Sequence, residues 1–229
     1  MILVIRGHIR NSFNTNDLYL LVEEIYTLFP DLKIFIHTWN VFANNISWRE
    51  IHECNEIVTE ETIYNYFKTY SIYIKHIIID NDKDIQIHGN LEGKIGIGPI
   101  PILGWKNYWY GKHRIIEYIY NQHIHDDEQV VNLRFDLLSV NNTYGFDKKS
   151  MLTFMKTNST VQITKNIFIV DQEVPGIDNI YIGNIITMYK LSSTFVNDLD
   201  VILSKHSSIV NAEKLVHRIN SQLFLPAFI

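Results

Sequence analysis

Four segments of this 229-residue chain hold side chains whose types and spacing could do chemistry. The first is Arg6-Gly7-His8-Ile9-Arg10. Arginine donates through a planar fork that fits phosphate oxygens, and a glycine lets backbone approach a ligand closely. The second is His37-Thr38-Trp39, where Trp39 could stack on a base or sugar and His37 could meet a phosphate or hydroxyl. The third is a choice of carboxylates. Asp80-Asn81-Asp82 matches an Asp-x-Asp pattern, and Arg134-Phe135-Asp136 offers Asp136 with arginine at the first acidic position. A hard divalent cation takes oxygen ligands and can bridge the oxygens of a diphosphate. The plainer accounts are a solvated turn at 80–82 and a structural ion pair between Arg134 and Asp136. The fourth is the glycine-rich stretch 89–104, followed by Trp105, Lys106, Trp109, Tyr110 and Lys112. It lacks the Gly-Lys-Ser/Thr ending of a P-loop. It is also not the first turn of a dinucleotide fold.

The elements that must hold these residues follow from periodicity. Residues 2–6, ILVIR, read as a buried strand stopping at Gly7. A helix is expected over 17–29, where Leu18, Leu21, Val22, Ile25 and Leu28 share a face, with Asn16 or Asp17 as cap. Residues 32–38 follow as a strand, so the order is that of a parallel βαβ unit. A short helix at 60–70, a strand at 72–79, a helix at 105–122 and a strand at 129–134 come next. The last third reads as a helix at 150–157, strands at 161–164, 167–171 and 180–182, a helix within 185–203, and a helix over 211–223 capped by Asn211. In an open α/β sheet the ligand lies beyond the carboxyl ends of the strands, where the first three segments fall.

Composition narrows the field. A hydrophobic fraction of 46% excludes a disordered chain. A net charge of −5 argues against general nucleic-acid binding. The single cysteine, Cys54, allows no intrachain disulfide and no cysteine zinc site, and fits a reducing compartment. His88, His113, His123 and His125 show no zinc spacing. No apolar run is long enough to span a membrane, and the N-terminus has no signal-peptide pattern. A cytoplasmic protein is expected, with peripheral membrane association left open. The aromatic fraction of 13% exceeds what folding requires, and the rings placed near strand ends are Trp39, Trp48, Trp105, Trp109 and Phe135.

The segments IRGHIRNSF, DLKIFIHTWN with ISWR, VVNLRFDLL and IYIGNIITMYKLSSTF, taken in that order, resemble polysaccharide-biosynthesis glycosyltransferases. These are of the capsule or lipopolysaccharide type, found in bacteria and large viruses. The resemblance implies a single GT-A-like domain over 1–229: a three-layer α/β/α sandwich with a mostly parallel sheet. It implies hexosyl or deoxyhexosyl transfer from a nucleotide-diphosphate-sugar to a glycan acceptor. It puts Asp136 and Arg134 at the catalytic centre, with Mg2+ or Mn2+ held by Asp136 or alternatively by Asp80 and Asp82. Arg6, Gly7, His8, Arg10, His37, Thr38, Trp39, Trp105 and Trp109 would bind substrate. Asn184 stands where similar proteins carry an acidic residue, so Asp171, Glu173 and Asp178 become candidates for a base. A non-catalytic nucleotide- or carbohydrate-binding module of the same fold is the alternative, favoured by arginine at 134 and asparagine at 184.

Overall fold

The computed structural model describes residues 1–44, 46, 52–123, 128–138, 147–169 and 177–224. Asn45, Trp48, Arg49, His125, the turn at Asp126 and Asp127, and the candidates Asp171 and Glu173 lie outside them.

The strands are β1 (Ile2–Arg6), β2 (Lys33–Trp39), β3 (Val41–Ala43), β4 (Cys54–Ile57), β5 (Ile74–Asp80), β6 (Gln129–Arg134), β7 (Ile167–Phe168) and β8 (Ile180–Asn184). Six form one sheet in the order β5-β2-β1-β6-β8-β7, and β3 and β4 pair separately. The first four run parallel, while β8 is antiparallel to both its neighbours. Strand β1 shows why its sequence is a continuous apolar run. Ile2 and Val4 enter one core and Leu3 and Ile5 the other, so both faces are covered.

The helices are α1 (Asp17–Leu28), α2 (Glu60–Phe67), α3 (Ile102–Asn121), α4 (Lys148–Asn158), α5 (Ile185–Asn197), α6 (Leu199–Lys205) and α7 (Ala212–Leu223). Apolar residues of α1, α2 and α4 bury against one sheet face, and those of α3, α5, α6 and α7 against the other. The fold is a three-layer α/β/α sandwich with a mostly parallel central sheet.

Several expected elements shift. The 60–70 helix ends at Phe67 and continues as 3-10 turns to Tyr73. Helix α3 starts at Ile102, which brings Gly104 inside it. No strand forms at 161–164, where the Ile163 carbonyl accepts from the Asn184 side chain instead of a ladder partner. The strand expected at 167–171 is described only as Ile167–Phe168. The helix expected within 185–203 breaks at Asp198, between α5 and α6.

The topology fixes where a ligand can sit. The chain steps from β1 outward to β2 and β5, then crosses back through α3 to β6 on the other side of β1. Such a switch point leaves a crevice beyond the carboxyl ends of β1 and β6. In register, Arg6 lies between His37 of β2 and Arg134 of β6. Because β8 is antiparallel, its beginning comes to the same edge, with Asp178 and Asn179 in the 3-10 turn Ile177–Asn179 just before it.

Helix α3 crosses β2 so closely that Gly111 has no room for a side chain. An added Cβ would lie 2.6 Å from His37 Cε1 and 2.8 Å from Nδ1. The His37 ring is fully buried and its Nε2 is 3.3 Å from Asp80 Oδ2, so it cannot give way. Gly111→Ala gains about 1 kcal/mol of helix propensity but meets an overpacking cost of about 1–3 kcal/mol. A net loss of up to about 2 kcal/mol is expected by urea denaturation; a raised midpoint would contradict this packing.

Candidate functional site

The crevice at the switch point is a cleft of about 950 Å3, mouth included. Period-2 alternation puts Arg6, Asn132 and Arg134 on the sheet face that α3 covers. Arg6 is 1% exposed yet lines the cleft. Its Nε donates to Asn132 Oδ1 at 2.9 Å, and its Nη2 donates to the Tyr108 hydroxyl at 2.8 Å and the Asp178 carbonyl at 2.9 Å. Its Nη1 is buried and has no hydrogen-bond partner among the described residues.

Helix α3 supplies a second wall through Trp105, Tyr108 and Lys112, spaced three and four residues apart on one face. Lys112 is fully buried, with Nζ 3.3 Å from Asp178 Oδ2. The same ammonium lies 4.0 Å from the Trp109 ring centre and 4.3 Å from that of Tyr108. Tyr108 donates its hydroxyl to Asp178 Oδ2 at 2.6 Å. Burial, followed by Arg6, pushes the Lys112 ammonium well below its ordinary pKa, and Asp178 opposes them. Burial alone would raise the Asp178 carboxyl, but Lys112, the Tyr108 hydroxyl, Arg6 and Arg134 outweigh it and hold it below the usual range.

The third part is Arg134. Its Nη1 donates to Asn179 Oδ1 at 3.0 Å, and its Nη2 pairs with Asp136 Oδ2. Arg10 pairs with the same oxygen. Burial would lower the Arg134 pKa, but Asp136 and its other neighbours more than compensate, so the group stays charged.

Of the residues singled out in the sequence, Arg6, Gly7, His8, Arg10, Trp39, Trp105 and Arg134 line this cleft together. Asp136 stands beside it on its two arginines. His37 and Thr38 are buried under the cleft floor, where the Thr38 hydroxyl donates to the Gly7 carbonyl at 3.0 Å. Trp109 is a core residue stacked on Phe195 with centroids 4.0 Å apart. The glycine-rich loop is docked. The Ile97 amide donates to the Ile209 carbonyl at 3.0 Å, and a Cβ on Gly96, at φ +54°, would lie 2.0 Å from that carbonyl oxygen. Asn184 sits at the far sheet edge, opposite Gln129, where it caps α5 by accepting from the Thr187 amide. It is therefore remote from the cleft, and Asp178 is the described carboxylate among the candidate bases that reaches it. Tyr108, Asn132 and Asn179 were missed in the sequence. Lys112 had a legible signal, a lysine set among Tyr108, Trp109, Ile115 and Ile116 on an apolar helix.

Among the described residues the candidate carboxylates do not fit a divalent cation. Asp136 is committed to two guanidinium groups. Asp80 meets His37 and Arg114, and Asp82 accepts from Asn44 at 2.6 Å. Among the described residues no three His, Cys, Asp or Glu side chains converge to hold a metal ion. Such a cation needs several uncommitted oxygen ligands.

His8 makes a pH prediction. Burial and then Arg10 push its pKa down to about 3, and the buried Nε2 has no hydrogen-bond partner among the described residues. The folded value lies below the unfolded one, so as pH falls below about 6.5 the unfolded chain takes the proton first and stability drops toward pH 3. The expected loss at pH 5 is about 1–2 kcal/mol. His37 is shifted the same way, chiefly by burial, and adds to the slope. Urea midpoints for His8→Gln should fall less than wild type between pH 7.5 and pH 5; equal slopes would refute the buried neutral imidazole.

No protein-family model matches the chain, and no curated protein matches it. Among solved structures it is similar to an active-site mutant of LgtC, with 13% identity and a TM-score of 0.41 over 96% of this chain and 70% of that one. Among the described residues no helix is long and apolar enough to cross a membrane.

Proposed function

We propose that the chain is a glycosyltransferase that moves a hexosyl or deoxyhexosyl group from a nucleotide-diphosphate-sugar to a glycan acceptor in surface polysaccharide biosynthesis. The observation that carries this reading is the group Arg6, Lys112 and Arg134 on the wall of one cleft at the topological switch point. The order of the polysaccharide-transferase motifs in the sequence supports it, with residues 1–229 acting as one cytoplasmic unit. In the transfer, the anomeric carbon's bond to diphosphate oxygen breaks as its bond to the acceptor oxygen forms, and the acceptor proton passes to a base. Negative charge grows on the departing diphosphate, where preorganised cations stabilise it most. Trp39 and Trp105 supply apolar faces for the base or sugar rings. Asp136 fixes Arg10 and Arg134 at the rim.

The test is a panel of nucleotide-sugars, read by thermal shift and by release of nucleotide with and without glycan acceptors. A donor that raises the melting temperature and is turned over is expected. Binding without turnover on any acceptor would establish the non-catalytic module instead. That alternative has one observation in its favour, since Asp136 and Asp178 are both ion-paired. No binding by any donor would end the reading.

A further inference from the structure

We infer that this cleft holds the donor's diphosphate with Arg6, Lys112 and Arg134 themselves, without a bridging divalent cation. The inference rests on the proposed function and concerns how the same site recognises its substrate.

Three observations support it independently. First, the cations come from three different elements, β1, β6 and α3, and strand register sets Arg6 beside Arg134. Their relative placement is thus a property of the fold rather than of mobile surface chains. Second, donors stand ready with nothing to bind. Arg6 and Trp105 both line the cleft, and among the described residues neither Arg6 Nη1 nor the Trp105 indole nitrogen, both buried, has a hydrogen-bond partner. A buried N–H left unpaired is costly, and an anionic oxygen would satisfy it. The arginine fork already spends Nε and Nη2 on Asn132, Tyr108 and Asp178, which fixes the plane of the guanidinium.

Third, the local charge is the wrong sign for a metal ion. Arg6, Arg10, Lys112 and Arg134 all line the cleft, while Asp136 and Asp178 are engaged with members of that set. Among the described residues Glu213 is the further carboxylate on the lining. One carboxylate does not make a site for a cation that demands near-octahedral oxygen coordination. Counting Asp136, Asp178 and Glu213 against those four cations, the site still has an excess of positive groups, which opposes a divalent ion and favours a diphosphate. A diphosphate held this way has its leaving-group charge offset chiefly by fixed guanidinium groups.

The experiment is calorimetric titration of the full chain with UDP, GDP, CDP and inorganic pyrophosphate, in EDTA and again in excess Mg2+ or Mn2+. The expected result is that a diphosphate binds in EDTA, with metal adding no affinity and added salt weakening it. Arg134→Gln, checked for folding by its melting curve, should lose about 30-fold or more in affinity in EDTA. Binding that appears only with the metal would overturn the inference while leaving glycosyl transfer standing. Absence of binding in every condition would overturn both. Metal-free binding that Arg134→Gln and salt leave unchanged would show the anion sits elsewhere and would also overturn the inference.

Discussion

Lys112→Ala is expected to cost about 3–5 kcal/mol of folding stability, the scale seen when one partner of a buried ion pair is removed. Lys112 is fully buried, and its ammonium touches Asp178 and the rings of Tyr108, Trp109 and Tyr181. Truncation leaves the buried Asp178 carboxylate short of its nearest cation and empties the space the lysine stem filled. Tyr108 at 2.6 Å and Arg6 on the Asp178 carbonyl remain, so the loss stays below that of a fully isolated charge. The sign with pH is specific. The Asp178 carboxyl is held below its unfolded pKa, so the pair contributes above that value and the contribution is lost as pH falls through the folded one. The gap between wild type and Lys112→Ala should therefore narrow in acid. Combining Lys112→Met with Asp178→Asn removes both charges at similar volume and should recover most of the loss. Urea denaturation of the two singles and the double decides it. A cost under about 1 kcal/mol for Lys112→Ala would mean the pair is solvated rather than buried.

What was legible in the sequence tracks how local the physics is. Strands β1 and β6 matched their expected ranges because both are apolar runs ending in arginine at the sheet edge. Helix α1 was readable because Leu18, Leu21, Val22 and Ile25 repeat at helical spacing and bury against the sheet. The Arg6 loop and Arg134 lie near one another because parallel strands put their ends at one edge.

The failures come from long-range geometry. Strand β8 runs antiparallel, which no local pattern announces, and this reverses the fate of its two ends. Asp178, before β8, reaches the cleft, while Asn184, at its end, goes to the opposite edge and becomes a helix cap. His37 looked like a strand-end ligand group. However, β2 continues through Trp39, and the close crossing of α3 at Gly111 seals the imidazole beneath the helix. Trp109 and Trp105 share a helix and differ only in facing. One stacks on Phe195 in the core and the other lines the cleft.

Arg6→Lys is expected to lower nucleotide-sugar turnover by about 10²–10³-fold, the effect of removing one well-placed donor from a developing anion. The substitution keeps the positive charge, so it separates charge from geometry. Arg6 divides its nitrogens among Asn132, Tyr108 and the Asp178 carbonyl and keeps Nη1 over. A lysine has one nitrogen in place of three. If that nitrogen replaces Nη2 and donates to Tyr108 and Asp178, a single N–H remains, and it cannot serve both Asn132 and a phosphate oxygen. If it turns toward the ligand, Tyr108 loses a donor and the Asp178 turn loses its tie to β1. Either way kcat should fall more than KM rises, because the lost interaction strengthens as the diphosphate departs. The comparison is Arg114→Ala, whose guanidinium is 46% exposed and lies 3.6 Å from Asp80. That change should leave turnover near wild type and stability within about 1 kcal/mol. Wild-type turnover in a folded Arg6→Lys protein would show that positive charge alone suffices at this position, and that the fork is a structural brace between β1, β6 and α3.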